Sequence, residues 1–491
     1  MKFEFVGRQK ELDLLEGLWA SPKPEFLVLY GRRRIGKTAL LTEWIHRSGH
    51  RALYWVASPT SAAGQLRSFS QVIYNFASPR QPAPENFTYA SWEQTFQQVA
   101  SLANIERLAL FVDEFTYLLE VNPGFAGQLQ NLWDHVLSQT NLFLCLSGSH
   151  LGMMKREFMA YQAPLYGRAS AQLHLLPFSF GATRSFFPKY SAVDRVGIYA
   201  IFGGVPAYWE RIDQSKSISH NIKSELLTSN NLLQAEPRLL LQDFISEPHN
   251  YIGILSAIGA GAHTIKAIAE VSGIPNVQVP KYLSVLTGAG FVERRLPVTE
   301  GQPSRAGRHH ITDPYLRFYY RFLAGRQNQL ALGIQDQALA EIRKHLIDFI
   351  GTYTWEELCR EWVLRAGAAG VLPHLPDQVG GAWNSKTQVD VAGINTMERT
   401  LILGECKWTL SAIERKVMAE LVEQKTAKVM PSHGKWRVFF VGFSRSGWSK
   451  GAVEFQEQIN QKPVKGENWI STGMRLLDLS QLDDDLAKWT K

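Results

Sequence analysis

Three short stretches carry residues able to do chemistry. Gly31-Arg32-Arg33-Arg34-Ile35-Gly36-Lys37-Thr38 follows the apolar run Phe26 to Tyr30 and satisfies GxxxxGK[ST]. Glycines let the backbone curl there, so that amide hydrogens and the start of the next helix face phosphates. Lys37 would reach the β and γ phosphates, and the Thr38 hydroxyl would take one position on Mg²⁺. The expected ATP/ADP contacts are therefore Gly31, Arg32, Arg33, Arg34, Ile35, Gly36, Lys37, Thr38 and Ala39. The second stretch, Leu108 to Val112, ends in Asp113-Glu114. Asp113 would hold the Mg²⁺ through water, and Glu114 would polarise the attacking water. A further apolar run, Leu142 to Leu146, leads into Ser149-His150, either of which could sense the γ-phosphate; a plain polar turn is the alternative. Arg168 could neutralise charge in the transition state, or serve only structure. In the third stretch Asp390 precedes Glu405-Cys406-Lys407 by about fifteen residues. Residues two apart on a strand share a face, so Glu405 and Lys407 project together, with Asp390 on the adjoining strand. Two carboxylates suit Mg²⁺, a lysine beside them steadies charge on a phosphodiester, and Glu356 on the preceding helix could add a third carboxylate.

These residues need elements to hold them. At 491 residues the chain is long for one domain, and its patterning divides it into four. Residues 1–175 alternate strand-length apolar runs with helical patterns, which predicts a parallel sheet with helices on both faces. Residues 176–245 read as a helical lid interrupted by Gly203-Gly204-Val205-Pro206. Residues 246–330 show helices at Tyr251 to Gly259, Thr264 to Val271 and Asn276 to Thr287, then strands at Phe291 to Leu296 and Arg308 to Thr312: a winged-helix pattern. Residues 340–491 give helix, three strands, helix, strand. The expected fold class is multidomain α/β: a P-loop parallel αβα sandwich, a helical lid, a winged helix and a C-terminal αβββαβ domain.

Hydrophobic residues at 45% and charged residues at 20% exclude a disordered or fibrous chain. No run of eighteen or more uncharged apolar residues occurs, and the N-terminus lacks a signal-peptide pattern. Cys145, Cys359 and Cys406 stand far apart without CxxC pairing. The expectation is a cytoplasmic protein without a membrane partner. Its 52 Lys and Arg against 45 Asp and Glu give a net charge of +7, which favours a polyanionic partner, DNA foremost. Asn276, Gln278 and Lys281 are the side chains expected to reach a groove, while Arg294, Arg295, Arg305, Arg308, His309 and His310 gather charge suited to phosphates.

Phe5-Val6-Gly7-Arg8 followed by Glu11-Leu12, the Tyr30 to Thr38 loop, Asp113-Glu114-Phe115, Gly148-Ser149, Leu165-Tyr166-Gly167-Arg168 and Gly203-Gly204-Val205-Pro206 occur in the order of the archaeal-type ATPase family. The first two thirds of the chain resembles that family, which belongs to the STAND branch of the AAA+ P-loop ATPases. The resemblance implies an ATP-dependent switch: nucleotide domain, lid, winged helix, then effector. It places Val6 near the adenine, Pro206 on a lid closing over the nucleotide, and Arg168 at the phosphate end. It implies a homo-oligomer and a winged helix that packs as a hinge as often as it meets DNA. Residues 340–445 resemble the PD-(D/E)xK restriction-endonuclease-like fold. That likeness implies Mg²⁺-dependent nuclease chemistry at Asp390, Glu405, Lys407 and Glu356, or a retained inactive fold that binds nucleic acid or a partner. Gln388 stands where many relatives carry an acid. The rival reading of the whole is an ATP-driven oligomerising scaffold, with a protein-remodelling machine ranked below it.

Overall fold

The computed structural model describes residues 5–228, 231–242, 248–300, 306–431 and 433–490, and these form two compact units. The first comprises the chain through Pro177 together with Val205–Glu210. The second comprises Phe178–Gly204 and the chain from Arg211 onward. Among the described residues no helix is long and apolar enough to cross a membrane.

In the first unit β1 (Glu25–Tyr30), β2 (Ala52–Val56), β3 (Leu108–Asp113), β4 (Leu142–Gly148) and β5 (Ala171–His174) form a five-stranded sheet in the order β2-β3-β4-β1-β5. All neighbours are parallel. A parallel sheet is covered on both faces, so its strands read as unbroken apolar runs; every residue of β3 and β4 is buried. Two cores flank the sheet, one holding Phe69, Phe96 and Leu110, the other Leu15, Leu41 and Phe111. Four strands match the sequence reading to within two residues. The fifth, β5, alternates half-buried and exposed positions and so presented no apolar run. The helix Lys37–Ser48 opens behind Gly36 and closes on Gly49, both in the left-handed conformation that glycine adopts without penalty.

The second unit gathers the three remaining stretches. Helices Ala192–Phe202, Ile218–Ile222 and Leu232–Gln242 occupy the segment expected as a lid. From that segment Leu176, Pro177 and Val205–Glu210 join the first unit. Next come helices His249–Gly259, Ile265–Ser272 and Val279–Gly288, packed around Ile254, Ile268, Leu283 and Leu286. Thr264 caps the second of them by accepting from the Ala267 amide, and Gly273 ends it in the left-handed region. The third begins at Val279 rather than Asn276, with Pro280 in its first turn. β6 (Val292–Arg295) and β7 (Arg308–Ile311) pair antiparallel; Arg305 lies outside the described residues.

A second five-stranded sheet follows, built from β8 (Gln378–Trp383), β9 (Gln388–Asn395), β10 (Thr400–Lys407), β11 (Trp436–Ser444) and β12 (Trp469–Asp478). Its order is β12-β11-β10-β9-β8. β8, β9 and β10 run antiparallel, and β10, β11 and β12 run parallel. The helix Glu356–Ala368 precedes the sheet and a helical segment from Arg415 to Val429 connects β10 to β11, which is the expected αβββαβ succession. The helix Lys450–Gln461, β12 and the helix Leu479–Lys488 extend it.

Candidate functional site

The phosphate loop leaves the C-terminal end of β1 and enters the helix Lys37–Ser48. A Cβ at Gly31 would collide with the Ile35 side chain and the Leu175 carbonyl, so the backbone closes tightly only because that residue is glycine. Among the described residues four non-glycine positions have positive φ, and three stand at this site: Arg8, Arg34 and Glu114. Such strain concentrates where surrounding contacts over-determine the backbone. The Lys37 ammonium lies inside the curve, donating to the Gly31 carbonyl at 2.9 Å and the Arg32 carbonyl at 3.2 Å. Burial pulls its pKa down, against the opposing pull of Glu114 and Asp113. Thr38 and Ala39 are exposed on the first turn of the helix.

Asp113 ends β3 beside this loop. Its Oδ2 accepts from the Thr38 hydroxyl at 2.6 Å and from the Tyr54 hydroxyl at 2.6 Å, and its Oδ1 from the Glu114 amide at 3.0 Å. Burial works to raise its pKa, but hydrogen bonds from Thr38 and Tyr54 outweigh it and hold the carboxyl below the ordinary carboxylate range. Hydroxyl and carboxylate oxygens set this close are hard donors of the kind Mg²⁺ prefers. Glu114 is positioned by the end of β4: its Oε2 accepts from the Ser149 hydroxyl at 2.6 Å and the Ser149 amide at 3.3 Å. His150 instead caps the next helix, its Nδ1 accepting from the Met153 amide. Of the two candidates, Ser149 is the one placed against Glu114.

The other arginines of the loop are tied down. Arg32 donates to the Tyr208 hydroxyl at 3.0 Å and Arg33 to the Tyr117 hydroxyl at 2.8 Å. Pro206 meets the loop directly, with its Cγ 3.7 Å from where a Gly36 Cβ would sit. Val6 is half-buried. Two residues on, Arg8 reaches the Ile35 carbonyl at 3.3 Å and the Leu176 carbonyl at 2.7 Å, stapling the N-terminal segment to the loop.

Arg168 is a correction. Ser170, two residues on, donates from its amide to the Phe26 carbonyl at the start of β1. This puts the backbone just after Arg168 at the N-terminal end of β1, about 17 Å along the strand from Gly31 at its other end. Its guanidinium forks onto Asp134 at 2.7–2.9 Å and donates to the Pro164 carbonyl, so within this chain it braces a loop and does not face phosphate.

Neither Tyr54 nor Tyr208 was legible as a site residue. Tyr54→Phe removes one of the two hydroxyl donors to Asp113 Oδ2, worth about 1.5 kcal/mol for a charged acceptor, and should slow ATP turnover by roughly tenfold. The sign of the pH effect follows from the depressed pKa. Asp113 keeps its charge down to a pH below the ordinary value, and losing a donor raises that limit. The acid limb of a pH–rate profile should therefore move upward in the variant.

In the second unit Asp390 on β9 and Glu405 on β10 meet around Lys407. Its ammonium lies 2.9 Å from Glu405 Oε2 and 3.3 Å from Asp390 Oδ2. The other oxygen of Glu405 accepts from Lys425 at 2.8 Å, and Asp390 Oδ2 also accepts from the Cys406 amide at 3.0 Å. Glu405 is 2% exposed. Burial, then Asp390, push its pKa up. Burial alone would depress Lys407, but the two carboxylates raise it above the ordinary lysine value. Glu356 falls short of the expected role. It pairs with Arg360 at 2.5 Å, and Arg360 in turn donates to the Asp390 carbonyl. Among the described residues no group of three or more His, Cys, Asp or Glu is gathered as a metal cage, so the third carboxylate reaches Asp390 through an arginine. Burial and the field of Asp390 push the pKa of Glu356 up.

The basic residues of the β6–β7 pair are also a correction. Arg295 pairs with Glu357 at 2.6 Å, Arg317 joins the same carboxylate at 2.8 Å, and Arg308 stacks on Trp383 and donates to Gln388. The Val298 amide donates to the Gly381 carbonyl and the Trp383 indole to the Ala306 carbonyl, which fastens the pair to β8, the edge strand. His309 is buried, and its pKa is lowered to about 4 by desolvation and Arg294. The Arg295 charge is therefore paired within the unit, and Arg308 is held by neutral partners. Asn276, Gln278 and Lys281 are exposed.

Residues 5–212 match a family described as an ATPase domain predominantly from Archaea. Residues 319–425, which hold Glu356, Asp390, Glu405 and Lys407, match archaeal and bacterial proteins of unknown function. An uncharacterized protein of Methanocaldococcus jannaschii is 29% identical over 404 residues, 82% of this chain and 87% of that one. An uncharacterized ATP-binding protein of the same organism is 46% identical over 41 residues, 8% of this chain and 70% of its own. The Walker-type ATPase of Pyrococcus abyssi, a solved structure, aligns with 65% of this chain and 96% of its own at 17% identity and a TM-score of 0.48. Loop geometry, parallel sheet and family match thus agree on an ATP-binding ATPase domain of the archaeal type over residues 5–212.

Proposed function

We propose that this protein is an ATP-hydrolysing switch of the STAND/AAA+ type whose nucleotide state governs a nuclease-like C-terminal domain acting on DNA. The observation that carries the ATPase half is the cluster of Lys37, Thr38 and Asp113, in which a buried ammonium and a hydroxyl–carboxylate pair stand at the mouth of one glycine loop. Thr38 and Asp113 would hold Mg²⁺, which when bound neutralises phosphate charge and fixes the phosphoryl geometry. Lys37 turns its ammonium from the loop carbonyls to the β and γ phosphates of ATP, while Val6 and Pro206 border the nucleotide. Glu114 accepts the proton of the attacking water once Ser149 releases its carboxylate. Arg32, held by Tyr208, couples the loop to Val205–Glu210, and Arg33, held by Tyr117, couples it to the helix Phe115–Val121.

In the C-terminal domain, Asp390 and Glu405 would share a Mg²⁺ and Lys407 would steady the developing charge on a phosphodiester. The helices around Ile265–Ser272 and Val279–Gly288 form a winged helix whose wing is docked on β8 as a hinge. A second reading draws on Glu405, both of whose oxygens are held by lysines: the domain is an inactive nuclease fold that binds nucleic acid or a partner, and the protein is an ATP-driven oligomerising scaffold. Cleavage of plasmid, linear and single-stranded DNA with Mg²⁺ or Mn²⁺ separates the two. Cutting that disappears in Asp390→Ala supports the nuclease; binding without cutting in both proteins supports the scaffold.

A further inference from the structure

A cleft of about 670 Å³ opens between the helices Leu232–Gln242 and His249–Gly259 and the segment from Tyr319 to Arg326. That volume falls in the range of small-molecule sites. Arg238, Arg321 and Arg326 line it, and among the described residues no Asp or Glu does. Arg238 and Arg321 are exposed and, among the described residues, make neither a hydrogen bond nor an ion pair. Arg326 spends one donor on the Phe322 carbonyl at 2.8 Å.

The contrast with a second cavity of the same unit, about 500 Å³, is instructive. There Arg295, Arg308 and Arg360 stand among Glu293, Glu356 and Glu357, and the charge is cancelled inside the protein. In the larger cleft three guanidinium groups share one lining, and among the described residues no carboxylate stands there to offset them, an arrangement that an anion relieves. Arginine rather than lysine selects for phosphate, because its planar fork donates two parallel hydrogen bonds. Beside the polar Ser256 and Gln329, the lining holds Ile252, Tyr319 and the buried Tyr320, the two tyrosine rings set edge to face at 5.2 Å. A surface of this kind takes a sugar or base beside a phosphate.

We propose that this cleft binds a phosphate-bearing ligand of nucleotide size, supplied as a free phosphate compound or as one unit of a single strand. The site is separate from the glycine loop and independent of the C-terminal carboxylates. The test uses the full chain with its first site saturated by a nonhydrolysable ATP analogue and Mg²⁺. A labelled single-stranded oligonucleotide of about 12 nucleotides is titrated by anisotropy, and labelled pyrophosphate by equilibrium dialysis, against wild type and Arg238→Glu/Arg321→Glu. Both arginines are exposed, and an unchanged guanidinium chloride unfolding curve of the variant verifies its fold. The expected result is at least a tenfold loss of affinity for one probe. If the strand is the ligand, its log–log salt slope should also fall by roughly 1.4, the share of two phosphates. Loss for the oligonucleotide assigns a strand; loss for pyrophosphate alone assigns a free phosphate ligand. Equal binding of both probes by wild type and variant, or binding of neither probe by wild type, overturns the proposal.

Discussion

Lys37→Ala should lower the rate of ATP hydrolysis by about a hundredfold to a thousandfold, the usual cost of deleting a preorganised charge aimed at the transition state. The side chain is 5% exposed and touches only loop carbonyls within hydrogen-bonding reach, so its charge serves what the loop encloses. Thermal unfolding of the first unit should change little, because the substitution removes two hydrogen bonds and also a buried ammonium whose desolvation opposes folding. Phosphate release at saturating ATP, read beside a melting curve, checks this. A variant that turns over ATP within twofold of wild type would sink the assignment of Lys37.

Asp483→Ala should destabilise the second unit by about 3–5 kcal/mol. Asp483, on the C-terminal helix Leu479–Lys488, receives Arg195 at 2.5 Å and also Arg184. The side chains of Asp483 and Arg195 are 3% and 9% exposed, so removing the carboxylate leaves a guanidinium in the interior with, among the described residues, only the Tyr190 carbonyl as acceptor. Asp484 offers a control in the same ion-pair group. It binds Arg184 as well but is 63% exposed, and Asp484→Ala should cost no more than about 1 kcal/mol. Guanidinium chloride titrations followed by tryptophan fluorescence compare the two, and similar midpoints for both variants would contradict the argument. The same pair explains why Phe178–Gly204 joins the second unit: Arg184 and Arg195 tie it to the last helix of the chain.

The phosphate loop was legible because everything it needs is contiguous. Two glycines, a lysine and a threonine at fixed spacing after an apolar strand specify both the turn and its ligand, and Asp113 could be found by the strand it ends. Tyr54 was not legible, because its bond to Asp113 depends on β2 lying beside β3 in register, Val56 opposite Asp113, which no local pattern encodes. Arg168 misled for the same reason. Its sequence neighbourhood matches a motif, but β5 runs parallel to β1, so the residues preceding it fall at the N-terminal end of β1, away from the loop. The two-residue period of strands sets Glu405 and Lys407 on one face beside Asp390, whereas Lys425, contributed from a helix twenty residues on, has no such local signal. Arg295 read as part of a phosphate surface since sequence cannot show that Glu357, 62 residues away, would pair with it.

The central claim is that the ATP site governs the C-terminal domain, and the most direct measurement is the rate of Mg²⁺-dependent DNA cleavage with and without ATP in wild type, Lys37→Ala and Asp390→Ala. The account predicts cutting that depends on ATP in wild type, loses that dependence in Lys37→Ala and vanishes in Asp390→Ala. Cutting that proceeds at one rate whatever the nucleotide, in wild type and Lys37→Ala alike, would contradict it.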